Sequence, residues 1–151
     1  MALEWIEDGA MIREVSHNLV YTAMHLSKGL LHPELLAEKF GLPVSCIHVL
    51  FLLSDGDLSI TELAEQLGVY KPNVAPMVNH LVNAGYVERR TSDEDRRKTY
   101  VRMLPEGEKL CRDIEKTICS QITRRSDLSR SEVKNLNRAL AILNKTIQDD
   151  Q

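Results

Sequence analysis

The sequence predicts a mainly α-helical chain that carries one small β-hairpin. Three observations support this. Aromatic residues make up only 5% of the chain, against 27% charged and 43% apolar, which suits helices better than a sandwich of aromatic and β-branched strands. Apolar residues recur at three-four spacing through most of the chain, and the period switches to two only between Val87 and Met103. A chain of 151 residues can bury one sizeable core, so a single domain over 1–151 is expected.

The first helix starts near Trp5, because Ile12, Val15, Leu19, Ala23, Leu26 and Leu30 form one stripe, and it ends between Gly29 and Pro33. Two prolines and a glycine around Leu35, Leu36 and Phe40 predict a loop with a helical turn. Val44–Ser54 is apolar on nearly all sides and is read as a central helix, ended by Asp55-Gly56-Asp57. Ser59-Ile60-Thr61-Glu62 places a hydroxyl three residues ahead of a carboxylate, which is a capping box. The helix it opens buries Ile60, Leu63, Ala64 and Leu67 and stops at Gly68. A fourth helix turns Val74, Val78, Leu81 and Val82 inward and closes at Gly85, which makes the pair a helix-turn-helix. With Asn73 as its N-cap, Pro76 falls in the first turn, where a proline withholds no needed amide.

Val87, Thr99, Val101 and Met103 then alternate around the turn Ser92–Arg96, giving the hairpin. Pro105 suits the first turn of a fifth helix, with Leu110, Ile114, Ile118 and Ile122 inward. A second capping box, Ser129 to Glu132, opens a last helix whose Val133, Leu136, Leu140, Leu143 and Ile147 recur at three-four spacing. The helices at both ends carry apolar faces that a domain of this size would struggle to cover alone, so a second subunit is expected.

Charge narrows the function. Residues 1–67 carry −7, residues 68–104 carry +3 and residues 105–151 carry +1, so a basic centre sits inside a chain of net charge −3. Arg89, Arg90, Arg96, Arg97, Lys98 and Arg102 lie on or beside the hairpin. A local cationic field of this kind suits a polyanion such as double-stranded DNA. On the fourth helix the inward set leaves Pro72, Asn73, Pro76, Asn79, His80 and Asn83 outward at 100° per residue, with Lys71 just ahead. Asparagine can pair with adenine, and lysine suits a phosphate.

Other classes fit less well. No nucleophile elbow, glycine-rich loop or paired-carboxylate arrangement points to an enzyme. Met1–Asp8 is acidic where a signal peptide would be basic and then apolar, so neither export nor membrane insertion is expected. Cys46, Cys111 and Cys119 are odd in number and lack metal-ligand spacing, which favours a reducing cytoplasm and no cofactor or metal. Cys111 and Cys119, on the predicted fifth helix, read as buried inert thiols.

The order helix, helix, helix-turn-helix, basic hairpin is that of a winged helix. The stretch LSITELAEQLGVYKPNVAPMVNHLVNAGYVERRTSDEDRRKTYVRMLPEG resembles the MarR family of bacterial transcriptional regulators, and element order agrees from about residue 4 to 147. The wing carries the sharpest likeness: a glycine, an apolar pair, an arginine, a polar turn, Asp-x-Arg and an alternating strand. The resemblance implies that residues 44–104 bind DNA and that 4–31 and 105–148 dimerise. It also implies a homodimer that regulates transcription, as a repressor or an activator, on a palindromic operator. Arg97 corresponds to the wing-tip arginine aimed at the minor groove, Arg96 lies beside it, Asp95 to the carboxylate that shapes the wing, and Arg89 to its partner on the first wing strand. Leu104 departs from the threonine usual ahead of the fifth helix, and Pro72 is a second departure, at the start of the fourth helix.

A small-molecule effector is a further implication, and His17, Tyr21 and His48 are candidates to line its pocket. The runner-up reading is a winged-helix adaptor that binds protein without DNA.

Overall fold

The computed structural model describes residues 9–28, 32–92, 98–125 and 127–149. The chain divides into two compact units, 1–117 and 118–151. In the first, α1 (Gly9–Lys28), α2 (Pro33–Phe40) and α3 (Val44–Leu53) are followed by a two-residue strand, β1 (Leu58–Ser59). Then come α4 (Ile60–Leu67), α5 (Lys71–Asn83), β2 (Val87–Thr91), β3 (Thr99–Met103) and the start of α6 (Pro105–Arg125). The second unit holds the end of α6 and α7 (Arg130–Asp149). Among the described residues, no single helix is long and apolar enough to cross a membrane.

Helix α3 is the central element. Val49 and Leu50 are fully buried on it, and Leu63, Val74, Val78, Leu81, Val87, Val101 and Ile114 close around them from four other elements and α6. Each such side chain contributes about 1.5–3 kcal/mol by leaving water. The sheet is antiparallel in the order β1-β3-β2, with Val87 opposite Met103, Arg89 opposite Val101 and Leu58 also opposite Val101.

Two elements differ from the sequence reading. The region expected to be a loop with a helical turn is the full eight-residue helix α2: Pro33 sits at its start, where the lost amide is harmless, and Gly41 ends it at φ 67°. Strand β1 was not anticipated, since two residues are too few to show a period of two, and it exists only because β3 offers them a partner. Both capping boxes form. The Ser59 amide donates to Glu62 at 2.7 Å and the Glu62 amide to the Ser59 hydroxyl at 3.2 Å. The Ser129 amide donates to Glu132 at 2.8 Å, and the Glu132 amide returns a bond to Ser129 at 3.3 Å.

The helices at the chain ends keep much apolar surface open. On α1, Met11, Val15, Leu19, Tyr21 and Met24 are 44–58% exposed, and on α7, Val133, Leu136 and Leu140 are 45–48% exposed. Surface this apolar is unusual for a monomer.

Candidate nucleic-acid interface

The geometry of α5 is set by its two ends. Gly68 ends α4 at φ 64°, a left-handed conformation that a side chain disfavours, and its amide bonds the Ala64 and Glu65 carbonyls. The chain then reverses within three residues. Tyr70, in extended conformation, is the N-cap of α5, and the Asn73 amide donates to its carbonyl at 2.8 Å. Hence Asn73 lies inside the helix and is not its N-cap. Pro76 is correspondingly the sixth residue, an interior proline that cannot give an amide to the Pro72 carbonyl. It is tolerated because its ring sits on the exposed side.

Val74, Val78 and Leu81 bury the opposite side completely and anchor α5 on the core. Cys46 of α3 reaches the Met77 carbonyl at 3.8 Å, one more tie between the two helices. What remains open is the expected polar face. Lys71, Asn73, Pro76, Asn79, His80 and Asn83 are all exposed on this one helix. Arg89 and Arg90 are exposed on β2, in the same unit. Asp95, Arg96 and Arg97 lie outside the described residues, and with them any Arg89–Asp95 pair.

The wing stem is fixed by an ion pair that sequence reasoning missed. Arg102 of β3 gives Nε to the Asp57 carboxylate at 2.9 and 3.2 Å and Nη2 at 2.8 Å, a two-pronged contact across 45 residues. Hydrogen bonding to Asp57 raises the guanidinium's pKa above its usual value. Asp57 read only as a helix-stop residue, because nothing local reveals that β3 will pair with β1 beside it. Tyr70 is a second feature that helical periodicity does not reveal. At 83% exposure it is the most open of the large apolar side chains among the described residues. Its signal was an aromatic placed between Gly68 and Pro72 in a tight turn.

The proposed pocket residues are placed as follows. His17 and Tyr21 stack along α1 with ring centroids 6.1 Å apart, Tyr21 meets His25 at 4.1 Å, and His48 is exposed on α3. Cys46 and Cys111 are buried, and that burial pushes both thiols up; Cys119 is exposed, contrary to expectation, because its position on α6 falls off the apolar stripe. Among the described residues, no three His, Cys, Asp or Glu side chains are grouped to hold a metal ion.

Comparison with known proteins agrees with this geometry. Residues 40–98 match the sequence model of the MarR family. The HTH-type transcriptional regulator YfiV of Bacillus subtilis is 26% identical over 74% of this chain and 71% of its own length. A MarR family protein from Bacillus stearothermophilus superposes with a TM-score of 0.71 at 20% identity, covering 92% of this chain and 96% of that one. NadR, solved in complex with 4-hydroxyphenylacetate, gives 0.64 at 22% identity over 85% and 91%. At such identities the two structures show a shared fold.

Proposed function

We propose that this chain, whose residues 40–98 match the MarR family of transcription regulators and which is similar to an HTH-type transcriptional regulator, acts as a homodimeric repressor on a palindromic operator. The observation that carries the proposal is the exposed polar face of α5, held rigidly on a core helix in the same unit as a basic two-stranded wing. A helix so anchored can enter a major groove, while the wing reaches the flanking minor groove or backbone. Residues 44–104 form the DNA-binding part. The open apolar faces of α1 and α7 support regions 4–31 and 105–148 as the surfaces a second copy covers. Two-fold symmetry of the protein then requires a two-fold symmetric site.

On this reading Lys71 meets a phosphate, Asn79, His80 and Asn83 line the groove, and Arg89, Asp95, Arg96 and Arg97 arm and shape the wing. Release by a small molecule belongs to the same proposal, with His17, Tyr21 and His48 as the residues put forward to meet it. The NadR complex supports a small aromatic acid as the class to try. Action on a chromosome places the protein in the cytoplasm.

Fluorescence anisotropy with promoter fragments, including the gene's own upstream region, tests the proposal. Binding is expected to weaken steeply with salt and to be largely lost in Arg97→Ala. Absence of salt-dependent binding to every fragment refutes it. Sedimentation analysis should give a dimer, and a monomer at micromolar concentration refutes that part.

A further inference from the structure

The reading face of α5 is unusual in what it lacks. Within this helix Lys71 is the only lysine or arginine, and it stands at the first position. The commonest guanine contact, a bidentate arginine or lysine on O6 and N7, therefore has no donor on the face that follows. In its place stand apolar rings, carboxamides and the single imidazole of His80. Tyr70 is 83% exposed, Pro72 and Pro76 are exposed four residues apart on one stripe, and Asn73 and Asn79 flank them.

The backbone at the start of α5 has few free amides to offer a phosphate, so that contact falls to the Lys71 side chain. Pro72 has no amide, the Asn73 amide is committed to the Tyr70 carbonyl at 2.8 Å, and no side chain caps the helix. In a helix-turn-helix it is the N-terminal end of the second helix that meets base edges. An aromatic ring left this open at that end is costly to solvate and well placed to cover a methyl group.

We propose that Tyr70, Pro72 and Pro76 read thymine methyl groups while Asn73 and Asn79 read adenine edges, so that the half-site facing α5 consists of A·T pairs. The inference rests on the DNA-binding reading above and specifies its substrate. Thymine alone carries a 5-methyl group in the major groove, and adenine alone presents the N6 donor beside the N7 acceptor that a carboxamide matches.

The full-length protein is first used to enrich bound duplexes from a random pool. Each thymine of the enriched half-site is then replaced by deoxyuridine, which removes only the methyl. With wild-type protein, one or more replacements should weaken binding roughly four-fold each, the worth of one buried methyl group. That sensitivity should disappear in at least one of Tyr70→Ala, Pro72→Ala and Pro76→Ala, with the melting temperature of each variant confirming that it folds. Enriched half-sites with G·C pairs facing α5 overturn the inference. So does uracil replacement without effect, or a sensitivity that persists unchanged in all three variants. In those cases the duplex is still bound and the DNA-binding reading stands. A pool that never enriches removes both.

Discussion

Replacing Gly107 by alanine should destabilise the protein, although alanine is the better helix former. Gly107 is the third residue of α6. A Cβ built there would stand 2.9 Å from Met103 Cγ, 3.3 Å from the Tyr86 carbonyl carbon and closer still to the Tyr86 carbonyl oxygen. The methionine can swing aside. The carbonyl cannot, because it accepts the Leu104 amide at 2.9 Å and belongs to the residue that leads into β2. Alanine gains up to about 1 kcal/mol from helix propensity, less near a helix end, and overpacking against a fixed backbone costs about 1–3 kcal/mol.

The net loss should be about 1–2 kcal/mol, which for a chain of this size lowers the melting temperature by roughly 2–8 °C. Thermal unfolding followed by circular dichroism measures it. Gly9→Ala serves as the control, since a Cβ there meets nothing within 4 Å, and it should leave the melting temperature unchanged or slightly raised. A Gly107→Ala protein as stable as wild type would refute the reasoning.

Three other outcomes are expected. The carboxyl of Glu62 is held below its ordinary range by the Ser59 amide and then the Ser59 hydroxyl. Its stabilisation is therefore present above the ordinary carboxylate pKa and lost as pH falls through the lowered one. The fall in melting temperature between about pH 5 and 3 should be shallower in Glu62→Gln, and an identical pH profile would argue against it. Burial of Cys46 and Cys111 keeps their thiols protonated at neutral pH, so alkylation of the native protein should label Cys119 first, as peptide mapping would show. Equal labelling of all three would contradict the buried positions. Lys71→Ala should weaken DNA binding uniformly across sequences and reduce the salt slope by about 1, and a change in base preference would instead make Lys71 a reader of bases.

Much of the fold was legible because its signals are local. The stripe Val74, Val78, Leu81 fixed which side of α5 faces the core, and the two Ser-x-x-Glu capping boxes fixed where α4 and α7 begin. The polar face of α5 followed from the same periodicity. Its start did not: two prolines four residues apart permitted several helix frames, and the capping choice between Tyr70 and Asn73 depended on how the turn after Gly68 packs.

The sequence by itself determined the helical class, the order of elements, the buried stripes and the basic wing, because these depend on spacing within a few residues. Only the tertiary structure decided the pairing of β1 with β3, the Asp57–Arg102 clamp, the tight seat of Gly107 under Tyr86 and the exposure of Tyr70. Each of these joins segments far apart in the chain or depends on what packs around a residue. No local pattern carries that information, because it comes into being when the core closes and brings those segments together.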